Sequence, residues 1–210
     1  MLALGDSVTF GTGAAAGEDW PTLLATSTGW QVVNAGVPGD TAQAAQPRLP
    51  ALLAHHRPAL VIIEIGGNDF LRRRSAAEVK ADVRVLVQAA KASGAQVALV
   101  AVPALSLLAA VAGRPSDAPL YAELADEEQV ALVPDVFSNV LGDAALRADP
   151  IHPNAGGYRQ MAQGMHQLAK MFSSLGLPSM KSAVFSPGRS AASAGRSNCG
   201  SGLPIIVLAI

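Results

Sequence analysis

A single cysteine, Cys199, stands in the whole chain, so no disulfide can form within it. Aromatic residues are scarce at 4%, charged residues make up 15%, and the formal net charge is −1. Such a chain lacks the basic stripe and the stacking rings of a nucleic-acid surface, and no nucleic-acid partner is expected. Apolar runs stay short of the roughly 18 residues that a membrane span needs, so stable membrane insertion is not expected either. The N-terminus shows no basic segment followed by an apolar one, and hence no visible signal peptide. His55, His56 and His166 fall on helix-like stretches without cysteine or carboxylate at ligand spacing. They read as solvated or packed residues, and neither a metal nor an organic cofactor is expected.

What is present is apolar material: half of the 210 residues are hydrophobic, enough to fill the core of one domain. Strand-like runs at residues 1–4, 31–34, 60–65, 96–102 and 131–133 alternate with helix-like stretches at 20–28, 41–55, 75–93, 116–128 and 154–172. Leu60-Val61-Ile62-Ile63-Glu64-Ile65 and Val97-Ala98-Leu99-Val100-Ala101-Val102 are nearly unbroken, as strands buried on both faces of a parallel sheet are. Ser75 three residues before Glu78 forms a capping-box pattern, and Val79, Val83, Leu86, Val87 and Ala90 share one helical face. Asn154 stands where the last helix needs a cap. The alternation predicts an α/β fold, a flavodoxin-like three-layer α/β/α sandwich around a five-stranded parallel sheet. Ligands in such sheets bind beyond the carboxyl ends of the strands.

The ends of the chain read differently from its middle. The opening run, residues 1–4, is short for a central strand. The expectation is a true start upstream, where a signal peptide would have stood. As written the chain reads as cytoplasmic; with such a peptide it would be periplasmic or secreted. Beyond Leu175, residues 176–210 are rich in Ser, Gly, Ala and Pro, without helical period, and end in an apolar run at 203–210. A disordered low-complexity tail is expected there, with a functional extension as the other reading.

Four segments at the predicted carboxyl rim carry candidate chemistry. Gly5-Asp6-Ser7 ends the first strand, where a tight turn can present a hydroxyl; alone it is also an ordinary turn. Val37-Pro38-Gly39-Asp40-Thr41 follows the second strand; the Gly39 N–H can serve as an oxyanion donor, or the segment is a plain loop capped by Asp40 or Thr41. Gly66-Gly67-Asn68-Asp69 follows the third; the Asn68 amide can donate into the crevice, or Asn68 is a left-handed turn residue. In Asp149-Pro150-Ile151-His152-Pro153-Asn154, a carboxylate and an imidazole three residues apart can meet within one compact turn; a surface histidine before a helix is the bland alternative. Arg72-Arg73-Arg74 reads as a solvated helix start.

In this order and on one rim, the four segments make up a full acyl-transfer set. They resemble the four blocks of the GDSL/SGNH hydrolases, which contribute Ser, Gly, Asn and His. The resemblance runs from about Leu2 to Phe172, leaving the tail without a counterpart, and includes Trp20-Pro21 and Arg48-Leu49-Pro50-Ala51-Leu52-Leu53. It is strongest toward the bacterial arylesterase, acyl-CoA thioesterase and lysophospholipase branch. It implies a catalytic domain over 1–175 with Ser7 as nucleophile, His152 as base and Asp149 as its orienting carboxylate. It further implies an oxyanion hole from the N–H groups of Ser7 and Gly39 and the side chain of Asn68. The implied substrate is a small acyl ester or thioester, and a monomer is expected. Two other readings stand beside it: a carbohydrate O-acetylesterase with the same site, and a non-catalytic flavodoxin-like binding module. The second wants a glycine-rich phosphate loop, and Gly11-Thr12-Gly13 lacks the Gly-x-Gly-x-x-Gly spacing. The Gly-x-Ser-x-Gly elbow of α/β-hydrolases is also missing.

Overall fold

The computed structural model describes residues 1–104 and 115–174. The expectation of a tail over 176–210, with Cys199 in it, lies outside the described residues. Among the described residues, five strands form one parallel sheet: β1 (Leu2–Gly5), β2 (Val33–Gly36), β3 (Leu60–Glu64), β4 (Gln96–Val100) and β5 (Ala131–Val133). Their order is β2-β1-β3-β4-β5; Leu2 pairs with Val33 on one side and Val61 on the other. Every residue of β1 and β3 is buried, which accounts for their apolar character, interrupted by Glu64 at the end of β3. The chain leaves β1 for β2 on one side and returns to β3 on the other. The winding reverses at β1, and the crevice of an open α/β sheet lies beyond the carboxyl ends at that point.

The helices are α1 (Ser7–Phe10), α2 (Trp20–Thr28), α3 (Ala42–Ala45), α4 (Leu49–His56), α5 (Gly67–Leu71), α6 (Ala76–Ala92), α7 (Leu120–Glu128), α8 (Val136–Gly142) and α9 (Ala155–Ser174). One helical layer is built from α2, α8 and α9; α6 gathers α3, α4 and α7 in the other. This is the expected three-layer α/β/α sandwich. The capping box of α6 forms as anticipated: Glu78 N donates to Ser75 Oγ at 3.3 Å and Ser75 N to Glu78 Oε2 at 2.9 Å. Its apolar stripe, Val79, Val83, Leu86, Val87 and Ala90, is buried. Removing one such side chain, as in Leu86→Ala, costs about 2–5 kcal/mol against about 1 for a cap, so burial decides where this helix lies.

Several boundaries differ from the sequence reading, each for a local reason. The strand expected at 31–34 runs over Val33–Gly36 instead. Asn34 looks like a loop residue, but its Nδ2 donates to Thr9 O at 2.8 Å and Asp19 Oδ1 at 3.1 Å, which lets the strand continue. The helix expected over 41–55 is broken into α3, a 3₁₀ turn (Gln46–Arg48) and α4. Pro47 and Pro50 lack the N–H groups that a continuous helix would use. The helix expected from 116 starts at Leu120, after Pro119. Ahead of it, Asp117 bridges to Pro103 in antiparallel fashion and Ala118 N donates to Val102 O.

Candidate active site

The first strand ends in Gly5, and the backbone turns at once into α1. Only glycine fits there, since a Cβ would lie 2.1 Å from Thr9 Oγ1 and 2.3 Å from the Glu64 carbonyl. Asp6 caps the short helix by accepting from Val8 N at 3.0 Å. Gly11, at φ 106°, closes it. Ser7 is therefore the first residue of a helix at the switch point of the sheet.

The second half of the site comes from the far end of the chain. Asp149 Oδ1 accepts from the N–H groups of Ile151 and His152, each at 2.8 Å, and this closes the Asp-Pro-Ile-His turn. The same turn brings His152 Nδ1 to 2.7 Å from Asp149 Oδ2, and His152 Nε2 lies 3.0 Å from Ser7 Oγ. Burial works against the Asp149 charge. The hydrogen bonds from His152 and from the Ile151 and His152 N–H groups outweigh it and hold the carboxyl below its ordinary range. The ionised carboxylate can only accept, so it fixes the proton on Nδ1 and leaves Nε2 free to take one from Ser7.

Asn154 anchors this turn to the last helix, as its position suggested. Its Oδ1 accepts from Gly156 N at 2.9 Å and Gly157 N at 3.1 Å; its Nδ2 donates to Ala145 O at 2.8 Å and Arg147 O at 3.3 Å. Tyr158 Oη donates to Thr12 O at 2.7 Å, tying α9 to the loop after α1. The close approach also demands Gly13, where a Cβ would stand 2.4 Å from the Pro153 carbonyl.

Asn68 lies in α5 and turns its amide toward the serine turn. Its Nδ2 donates to Asp40 O at 2.9 Å and to Asp6 Oδ2 at 3.2 Å. Gly39 takes a left-handed conformation, φ 84°, in an open position where a Cβ would meet nothing within 4 Å. The next residue, Asp40, holds Asn68 through its carbonyl. The cleft beside Ser7 is shallow, about 20 Å³, and is bounded by Ser7, Asn68, Leu71, Phe137, Ile151 and His152 among others. A roomier groove of about 520 Å³ runs between α2 and α9 past Leu23, Ser27, Arg159 and His166, and contains none of these residues.

Some of the polar residues around the site have no motif to announce them. Glu64 is fully buried at the end of β3, where Thr9 Oγ1 donates to its Oε2 at 2.8 Å. Burial, and next the nearby Asp6 charge, push its carboxyl well above the usual range. Asp6 is pushed up to about 6, first by burial; Val8 N–H and His152 pull it down, while Asp69 and Asp40 add to the rise. The signal for Glu64 was present in the sequence: a lone acid inside an apolar strand run. Asp69, also fully buried, accepts from Ala42 N at 2.9 Å and from Arg74 Nη1 at 2.7 Å.

The basic run Arg72-Arg73-Arg74 is not merely a solvated helix start. Arg74 makes 2.7 Å ion pairs with Asp69 and Asp82, and Arg72 Nη2 donates to Gly39 O at 3.1 Å. His55 and His56 meet edge to face on α4, and His166 faces Ser27 Oγ at 3.2 Å.

This geometry provides a hydroxyl, an imidazole and a carboxylate in one hydrogen-bonded row, with an amide donor beside them. Comparison with known proteins points the same way. The model of the GDSL-like lipase/acylhydrolase family matches residues 3–160. Esterase TesA of Pseudomonas aeruginosa is 37% identical over 167 residues, covering 73% of this chain and 79% of that protein. Thioesterase 1/protease 1/lysophospholipase L1 of Escherichia coli K12 is 38% identical over 161 residues, covering 73% and 75%. The crystal structure of TesA superposes with a TM-score of 0.72 at 32% identity, covering 81% of this chain and 97% of that one.

Proposed function

The chain belongs to the GDSL-like lipase/acylhydrolase family, and from that premise we propose that it hydrolyses carboxylic esters and thioesters through an acyl-enzyme on Ser7. The observation that carries the proposal is the row Asp149–His152–Ser7, with contacts of 2.7 and 3.0 Å. His152 Nε2 takes the proton of Ser7 Oγ as the oxygen attacks the acyl carbon. Asp149 holds the ring and stabilises the imidazolium that forms. The tetrahedral oxyanion is received by the N–H groups of Ser7 and Gly39 and by the Asn68 amide. Of the two bonds that Asn68 Nδ2 makes, the one to Asp6, at 3.2 Å, is the longer and the one the oxyanion exchanges. Collapse expels the alcohol or thiol, which takes the proton from His152. Water then attacks the acyl-enzyme with the same base.

The apolar surface near the site supports an acyl or aryl ester as substrate. Phe10 follows Ser7 on α1, Val37 lies in the Gly39 loop and Leu71 lines the cleft; they are 56%, 40% and 44% exposed. Large apolar side chains left open to water are expected where a ligand covers them. By their names the relatives act as an esterase and as a thioesterase and lysophospholipase, so a carbohydrate O-acetylesterase is not favoured. Every proposed site residue precedes residue 175, which supports a catalytic unit in 1–175. The test is hydrolysis of p-nitrophenyl esters of increasing chain length beside an acyl-CoA. Wild type turns over both classes, and Ser7→Ala, folded by circular dichroism, turns over neither. Unchanged turnover by Ser7→Ala would sink the proposal.

A further inference from the structure

Arg48 stands in the 3₁₀ turn between α3 and α4, where Pro47 and Pro50 interrupt the helix. The break sends its side chain toward the site. One guanidinium reaches three separate segments: Nη2 donates to Gly5 O at 3.0 Å, Nη1 to Ala35 O at 2.7 Å and Nε to Asp40 Oδ2 at 2.8 Å. Gly5 is the residue before Asp6-Ser7, Ala35 belongs to β2, and Asp40 follows Gly39. We propose that Arg48 is a positioning residue of this site, fixing the Gly39 loop against the turn that carries Ser7. The proposal rests on the reading of Ser7, Gly39 and Asn68 given above.

Asp40 is the link that makes this more than a surface ion pair. Its carboxylate is held by Arg48, while its carbonyl accepts from Asn68 Nδ2 at 2.9 Å. The loop is fastened at other points as well. Val37 N donates to Gly5 O at 3.1 Å, the carbonyl that Arg48 also uses, and Asp40 N donates to Val37 O at 3.1 Å. Arg72 holds Gly39 O, and Asp69 holds Ala42 N. Two of the proposed oxyanion donors, Gly39 N–H and the Asn68 amide, therefore share one support, and that support reaches the nucleophile turn through Arg48. Donors of this kind accelerate a reaction only if they are fixed before the charge develops. Three contacts from one head group suit the guanidinium fork, and a lysine ammonium cannot reproduce them.

The experiment compares wild type, Arg48→Met, Arg48→Lys and Asp40→Asn, with Ser7→Ala as control. The readouts are kcat and KM on p-nitrophenyl butyrate, the inhibition constant of an alkylboronic acid that forms a tetrahedral adduct, and the melting curve. Loss of a fixed donor in other serine hydrolases costs about 10²–10³ in kcat, so partial misplacement should cost about 10–100-fold with KM changed by less than about threefold. Boronate affinity should fall along with kcat, and Arg48→Lys should not restore either. Active-site titration normalises each rate to folded enzyme, and Asp40→Asn, which keeps size, carries the test if Arg48→Met does not fold. Normalised kcat within about twofold of wild type in the folded variants would overturn the proposal. So would a loss confined to melting temperature, or full rescue by lysine. Activity in Ser7→Ala would instead overturn the underlying site reading, which keeps the two failures distinct.

Discussion

Replacing Asp6 by asparagine should make the protein more stable at alkaline pH than at acid pH, relative to wild type. Burial raises the Asp6 carboxyl from 3.8 to about 6. A carboxyl whose value rises on folding favours the folded state while it is protonated. That stability is fully present below the unfolded value and is lost as pH climbs from 3.8 through about 6. The full step is about 3 kcal/mol at 1.36 kcal/mol per unit, and it belongs to Asp6 together with its neighbour Glu64. A neutral amide at this position would carry no such step. The substitution also has a pH-independent cost, because its new NH₂ faces the donating Asn68 Nδ2 in place of Oδ2. That cost cancels when two pH values are compared. Between pH 4.5 and 8 about 2 kcal/mol of the step remains, equivalent to about 4–8 °C in Tm for a chain of this size. The assay is urea unfolding followed by far-ultraviolet circular dichroism, for both proteins at both pH values. A stability difference that stays the same at pH 4.5 and 8, within about 0.5 kcal/mol, would refute the assignment of Asp6 as a destabilising buried charge. Turnover should fall in the same variant, since Asn68 loses a carboxylate that directs it; stability gained at the expense of activity is common at such sites.

Other substitutions separate chemistry from scaffold. Asp149→Asn should lower kcat by about 10⁴, the serine-protease precedent, because the imidazole loses its orienting charge. The Asp149 side chain is 46% exposed, so stability should move by less than about 1 kcal/mol; near-full activity would exclude this carboxylate from the reaction. Asn154→Ala removes the cap of α9 and two bonds to the segment before Asp149, and should cost about 1–3 kcal/mol in urea unfolding along with some activity. An unchanged midpoint would contradict that role. Truncation after Leu175 should leave kcat/KM within about twofold, and loss of folding would show that the domain needs residues 176–210.

Much of the fold was legible because the sheet is buried on both faces. Strand runs such as Leu60–Ile63 stay apolar throughout, and α6 carries both a cap and a clear stripe. The four candidate blocks could be placed for the same reason: each follows a strand or precedes a helix whose pattern is plain, and the structure brings Ser7, Asn68, Asp149 and His152 to one rim. The missed features depend on contacts between distant segments. Arg48 looked like part of a helix, and nothing local announces that it serves Gly5, Ala35 and Asp40. Short helices such as Ser7–Phe10 and Gly67–Leu71 are too brief to show a period. The shift of β2 toward Gly36 is set by the bonds of Asn34 to Thr9 and Asp19, again outside any local pattern.

The central claim is that Ser7 becomes covalently acylated, and peptide mapping tests it most directly. Enzyme treated with a p-nitrophenyl alkylphosphonate should release one equivalent of p-nitrophenol per chain. Tandem mass spectrometry should place the phosphonyl group on Ser7, and Ser7→Ala should release none. An adduct on another residue, or undiminished labelling of Ser7→Ala, would contradict the account.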